Sequence, residues 1–131
     1  MSPRARVIAG GIVVVLLFDL VASYASLALE FSYARASVGS YFIYLITGVF
    51  SARAATTSRA REGAISAAIV GFADASAGLA ISWIIGPGRP PAGTLSAAEW
   101  MVTAAIVVLF AGAVGFLGGA VGARSNQDIA G

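Results

Sequence analysis

Two carboxylates stand inside long apolar stretches of this 131-residue chain. Asp19 lies near the centre of the run from Val7 to Leu29, and Asp74 lies near the middle of the run from Gly63 to Gly86. An unpaired Asp at the centre of a bilayer costs about 2.5–3.5 kcal/mol on insertion scales, so such a group is expected to have a partner. Carboxylates in these surroundings are candidates for binding a proton or a cation.

The partners of these two carboxylates must be hydroxyl groups or each other, because no arginine lies within either run. Tyr44 and Thr47 fall at a similar depth when residues are counted along the apolar runs. We therefore predict an intramembrane polar cluster formed by Asp19, Tyr44, Thr47 and Asp74. Two interpretations stay open: a midplane site for a proton or a cation, or a hydrogen-bond network that fixes helix register.

Other kinds of chemistry have little support. The chain has no Cys and no His, which removes disulfides, Cys/His zinc sites and the most frequent acid–base side chain. The glycines are followed by no Gly-Lys-Ser/Thr pattern, so they form no phosphate-binding loop. The residues around the two carboxylates do not match the patterns of intramembrane aspartyl proteases. We expect no catalytic residue, no metal site and no cofactor, and hence a protein that is not an enzyme.

The composition indicates that lipid surrounds most of the chain. Hydrophobic residues make up 59% of it and charged residues 11%, too few charges for the surface of a soluble domain of this size. A spanning helix needs about 20 mainly apolar residues. We predict an all-α, four-transmembrane-helix bundle that forms a single domain over residues 1–131, with spans at 7–29, 37–52, 63–86 and 97–123. Pro87 is expected to end the third span, and Ser96 with Glu99 forms a capping box that starts the fourth.

The arginines predict the orientation of these spans. Six of them fall on one side of a four-span arrangement and two on the other; the six are Arg4, Arg6, Arg53, Arg59, Arg61 and Arg124, and the two are Arg35 and Arg89. Positive charge favours the cytoplasmic side, so both termini and the central loop are expected there. Tyr33, Trp83 and Trp100 fall at the opposite interface, as amphipathic rings prefer.

Arg53, Arg59 and Arg61 are expected to lie in a solvated positive-inside loop, with contact to anionic lipid headgroups or docking of a partner as alternatives. Nothing in the charge pattern suggests nucleic acid. A cleaved signal peptide ending near Ser23–Ala25 remains an alternative for the first span.

Polar and small residues predict which helix faces meet. Polar side chains recur at three- and four-residue spacing in the first three spans, so these faces are expected to turn toward one another. Small residues form packing ridges that allow close approach of two helices. These ridges contain Gly71 in the third span and Gly115, Gly118, Gly119 and Gly122 in the fourth. Packing within the chain and contact with another subunit are both possible, and the glycines on more than one face of the fourth span favour the second.

The segment GSYFIYLITGVFSARAATTSRAREGAISAAIVGFADASAGLAISWIIGPG resembles small four-span bacterial membrane proteins of uncharacterised families. In such proteins an aromatic and glycine-containing span precedes a short basic loop, and a motif such as His-Gly-Ala opens the next span. Glu62-Gly63-Ala64 occupies that place here. The resemblance implies a multi-pass protein of the bacterial inner membrane and implies no activity.

Two hypotheses about function follow from these patterns. The first is a non-enzymatic inner-membrane protein that forms a homo-oligomer or serves as an accessory or structural subunit of a larger membrane complex. The alternative is a small oligomeric transporter or channel, linked to protons or cations, that uses Asp19 and Asp74.

Overall fold

The computed structural model describes residues 1–36, 38–89 and 95–130, which form helices joined by short connections. The helices are α1 (Pro3–Leu29), α2 (Tyr33–Ala36), α3 (Gly39–Ala54), α4 (Arg59–Ala73), α5 (Leu79–Ile85) and α6 (Ala97–Ala130). A π-helical turn, Asp74–Gly78, joins α4 to α5 without a break. The described part of the chain contains no strand, which confirms the all-α prediction.

Three helices among the described residues are long and apolar enough to cross a membrane. They are Pro3–Leu29, the continuous α4–α5 segment Arg59–Ile85, and Ala97–Ser125 of α6. The predicted span 37–52 is not among them, and its expected start at Ser37 lies outside the described residues. Its counterpart α3 has 16 residues, about 24 Å of helix at 1.5 Å per residue, against about 30 Å of hydrocarbon.

Local sequence signals determine where the helices begin and end. Ser2 caps α1 by accepting a hydrogen bond from the Ala5 amide at 3.1 Å. At the start of α6 the predicted capping box is present: the Ser96 amide donates to Glu99 Oε2 at 2.7 Å, and the Glu99 amide donates to Ser96 Oγ at 3.2 Å. α5 ends at Ile85 because Gly86 takes a positive φ of 130° and Pro87 follows.

Polar residues and mostly small apolar residues share the interior of the molecule, and many large apolar residues are exposed on its outside. Buried polar residues come from α1, α3, α4 and α5; they are Asp19, Ser23, Ser26, Ser40, Thr47, Ser51, Ser66 and Ser82. The large side chains exposed by half or more include Phe42, Leu109 and Phe110. Such an apolar surface is suited to lipid. The burial of the polar residues confirms that the polar faces of the first three predicted spans turn inward.

Contacts at the two ends show that successive long helices run antiparallel. At one end, Arg4 near the start of α1 pairs with Glu62 of α4 at 2.9 Å, and Arg53 near the end of α3 donates to Ser125 Oγ of α6 at 3.2 Å. At the other end, the Trp83 ring of α5 meets the Trp100 ring of α6 edge to face, with centroids 6.2 Å apart. The loop and terminal arginines predicted to share one side therefore share one end of the molecule.

The glycines of the packing ridges face other helices of the same chain. A Cβ at Gly63 would lie 2.6 Å from the Gly115 carbonyl oxygen, and one at Gly122 would lie 2.6 Å from the Val49 carbonyl oxygen. Gly118 packs on the Leu45 carbonyl, Gly119 on Ala60, and Gly71 on the Ala111 methyl group.

Packing within the chain accounts for the fourth-span glycines, and their contact with another subunit stays a prediction. α6 is in contact with α3 on one side and with α4 on the other. Glycines on two faces of one helix are explained by two helices of the same chain that approach it closely.

Candidate functional site

Asp19 of α1 and Asp74 of the π-helical turn come together beside Gly78. A Cβ placed on Gly78 would overlap Asp19 Oδ2 and would lie 2.9 Å from Asp74 Oδ1. Only a residue without a side chain leaves room for both carboxylates at this point. The two acidic residues that sequence reasoning singled out are thus neighbours in the structure.

Two tyrosines donate hydrogen bonds to these carboxylates. The Tyr33 hydroxyl donates to Asp19 Oδ1 at 3.2 Å, and the Tyr44 hydroxyl donates to Asp74 Oδ2. Asp19 is 1% exposed, yet its second oxygen, Oδ2, is buried and has no hydrogen-bond partner among the described residues. Buried polar atoms are nearly always satisfied, and a proton shared with the neighbouring Asp74 would satisfy this oxygen.

The π-helical turn shapes the site locally. Residues Asp74–Gly78 depart from α-helical hydrogen bonding, and the Ser76 hydroxyl donates to the Phe72 carbonyl oxygen at 2.7 Å within the same segment. Single π turns inside α-helices occur frequently at functional sites because they change the direction of side chains without ending the helix. Here the turn begins at the carboxylate itself and ends at the glycine that accommodates both acids.

A cavity of about 280 Å³ adjoins the two carboxylates. Both acids, Tyr33, Tyr41 and Tyr44 line it, together with residues of α6; the α6 residues are Thr103, Ile106, Val107 and Phe110. No arginine is among the lining residues. Because Tyr41, Ile106 and Phe110 are also exposed at the outer surface, the cavity opens between α3 and α6.

Thr47 does not join the other members of the predicted polar cluster. It is buried between α1 and α4, where a Cβ at Gly11 would lie 2.9 Å from Thr47 Oγ1 and 2.8 Å from Val70 Cγ2. It also lines a separate cavity, between α1 and α3. Thr47 is about one turn along α3 from Tyr44, and that single turn separates it from the carboxylates.

Tyr33 belongs to the site, although sequence reasoning assigned it to the membrane interface. α1 ends at Leu29, and the next residue, Glu30, has a φ of 54° that reverses the chain. The Ser26 hydroxyl stabilises that reversal by donating to the Phe31 carbonyl oxygen at 2.7 Å. The short helix α2 then brings Tyr33 back to Asp19. The hydropathy pattern of the sequence does not predict this reversal of the chain.

The three arginines of the predicted positive-inside loop differ in their surroundings. Arg61 is exposed, Arg59 is half-buried, and Arg53 is exposed and bonded to Ser125 at 3.2 Å. All three lie at the end of the molecule that holds the Arg4–Glu62 ion pair.

The site supplies two carboxylates and two phenol groups. In the part of the chain that the structure describes, no group of three or more Asp, Glu, His or Cys side chains is placed to share a metal ion. Such a donor set can hold a proton between acids or accept a cation of low charge, since each carboxylate offers lone pairs and the tyrosines offer O–H donors.

Comparison with protein-family models, with curated proteins and with solved structures finds no match to this chain.

Proposed function

We propose that this chain is a small integral membrane protein whose carboxylate pair binds a proton or a cation, and that it acts as a proton- or cation-linked transporter or channel. The observation that carries the proposal is the meeting of Asp19 and Asp74 at Gly78, beside a cavity of about 280 Å³ with no arginine in its wall. Intramembrane acids that lack a basic partner mark ion or proton pathways by default.

The proposal includes four membrane crossings, with α3 as the short one and both termini in the cytoplasm of a bacterial inner membrane. The excess of arginine at one end of the molecule supports this orientation. A crossing by α3 is supported by its packing against three spanning helices, α1, α4 and α6. A helix of 16 residues can cross where the bilayer thins locally around it.

Assembly into an oligomer is part of the proposal, because one copy leaves the cavity open between α3 and α6. A second copy placed over Tyr41 and Phe110 would close it against lipid. The glycine ridges no longer support self-association or an accessory role, since they pack within the chain. We therefore place transport ahead of the accessory-subunit hypothesis, and we still expect no catalysis.

Flux in proteoliposomes tests the proposal. Purified protein would be reconstituted, and proton, sodium and potassium fluxes would be measured with imposed gradients. We expect Asp19→Asn and Asp74→Asn each to abolish a flux that the wild type supports, while Glu30→Gln, which removes an exposed carboxylate at the end of α1, leaves it intact.

Absence of flux from wild-type protein at every gradient tested would contradict transport. Flux that persists in both Asp variants would refute the assignment of the site. If the protein co-purifies with a second membrane protein after gentle detergent extraction and supports no flux, the accessory-subunit hypothesis is supported.

A further inference from the structure

We infer that the cavity beside Asp19 and Asp74 binds an organic ammonium ion with an aromatic or branched apolar part. The inference rests on the proposed function and names the class of cation that the site is built to take.

The size of the cavity supports an organic cation. Its volume of about 280 Å³ far exceeds the space of about 10–15 Å³ that is enough to hold one water molecule. A proton or a bare alkali ion held by the acids would leave most of this space without protein contacts. A small organic cation would fill it and would displace water from the apolar part of the wall.

The charges point to a cation. Two carboxylates approach each other at Gly78, and no basic side chain lines the cavity. Asp19 lines the cavity, is 1% exposed, and keeps a buried oxygen with no hydrogen-bond partner among the described residues. An ammonium group in the cavity would pair with the half-buried Asp74, and the neighbouring charge of Asp19 would add to the attraction.

The aromatic wall selects for an ammonium that carries apolar groups. The Tyr41 and Tyr44 rings meet at 63° with centroids 6.2 Å apart, and both line the cavity with Phe110. Ring faces attract alkylammonium groups by cation–π interaction. A metal ion would have to lose a more strongly bound hydration shell before it could make the same contact. The apolar residues Ile106 and Val107 complete the wall.

The opening fits an amphipathic ligand. Tyr41 is 43% exposed, and Phe110 is 56% exposed, on the outer surface between α3 and α6. An apolar part of the ligand would pack against these two side chains, whereas a small inorganic ion bound at the acids would leave them uncovered.

Equilibrium binding of radiolabelled benzyltrimethylammonium to purified protein in detergent tests the inference. We expect saturable binding that unlabelled tetramethylammonium displaces. Neopentylbenzene, which has the same shape without the charge, should not displace it. Asp19→Asn and Asp74→Asn should each lower the affinity at least tenfold.

A matched pair of variants tests the aromatic wall. Tyr41→Leu should weaken binding by about threefold to tenfold, the range expected for one cation–π contact. Phe42→Leu changes the neighbouring aromatic residue of α3, which is 66% exposed and does not line the cavity, and should leave the affinity unchanged.

The outcomes separate this inference from the proposed function. Absence of saturable binding, together with proton or inorganic-cation flux that depends on Asp19 and Asp74, would overturn the inference and leave the proposed function standing. Binding that survives in both Asp variants, or that neopentylbenzene displaces equally well, would also overturn it. Absence of both binding and flux would remove the two proposals together.

Discussion

At the scale of single residues, the environment of Asp19 is the feature on which function depends. Its Oδ1 accepts the Tyr33 hydrogen bond, while its Oδ2 lies against Gly78 and beside Asp74 without a donor. A buried acceptor without a donor costs free energy comparable to a lost hydrogen bond. A proton shared with Asp74 would supply the missing donor, so the two acids are expected to act as a pair.

Gly78→Ala should disrupt the site. The added Cβ would overlap Asp19 Oδ2, so the carboxylate must move away from Asp74. We expect the flux or cation affinity to fall at least tenfold, measured as above. Gly10→Ala is the matched control, because nothing lies within 4 Å of a Cβ at Gly10; equal effects of the two variants would contradict the assignment.

Tyr33→Phe should destabilise the protein by about 1–3 kcal/mol, the cost of leaving a buried acceptor unsatisfied. The substitution removes the donor to Asp19 Oδ1 and leaves that carboxylate with no donor among the described residues. Thermal or denaturant unfolding in detergent measures the change. Tyr24→Phe removes an exposed hydroxyl from α1 and should be neutral, and a neutral Tyr33→Phe would refute the role of this bond.

At the scale of helices, the close approach of α6 to α3 and α4 holds the site together. Backbone meets backbone at Gly48, Gly63 and Gly115, where a Cβ would lie within 3 Å of a facing carbonyl oxygen. Without a hydrophobic driving force between helices in lipid, such packing supplies the attraction. It also places Val107 and Phe110 of α6 at the cavity wall.

Gly115→Ala should destabilise the fold, because the new methyl group would overlap the Ala67 Cβ and lie 2.6 Å from the Gly63 carbonyl oxygen. Overpacking of this kind typically costs about 1–3 kcal/mol. The control is Gly112→Ala on the same helix, whose nearest neighbours would lie at 3.8 Å. It should be neutral or slightly stabilising, since Ala favours helix over Gly by about 1 kcal/mol.

Unfolding in mixed micelles, followed by circular dichroism, compares these two variants. Oligomeric state should be measured in parallel. If Gly115→Ala changes only self-association and leaves the unfolding transition of the monomer unchanged, the packing of this glycine within the chain is refuted.

At the scale of the whole molecule, the open question of topology is whether α3 crosses the bilayer. Ser32 precedes α3 and Thr57 follows it, and both are exposed. The chain has no Cys, so a single introduced cysteine reports its own side of the membrane without interference.

Ser32→Cys should react with a membrane-impermeant maleimide in intact cells, whereas Thr57→Cys and Gln127→Cys should react only after the membrane is opened. This outcome is expected because the arginine-rich end, which holds Thr57 and Gln127, favours the cytoplasm. Gel-shift labelling provides the measurement. Equal reactivity of Ser32→Cys and Thr57→Cys would show that α3 does not cross.

Much of this architecture could be predicted from local patterns. Apolar runs of spanning length, the Ser96–Glu99 capping box and the Pro87 stop depend on neighbouring residues, and the observed helices follow them. The inward turn of the polar faces followed from three- and four-residue spacing. Asp19 and Asp74 could be predicted as site residues because a carboxylate within an apolar spanning segment costs free energy unless it has a partner.

Only the tertiary structure decided which of these residues meet. The reversal at Glu30 brings Tyr33 to Asp19, one turn of α3 keeps Thr47 away, and the π-helical turn aligns Asp74 with Gly78. The glycines of α6 proved to have partners within the chain. Sequence spacing specifies the face of a helix on which a residue lies, but the rotation and depth at which helices pack depend on contacts between residues far apart in the chain.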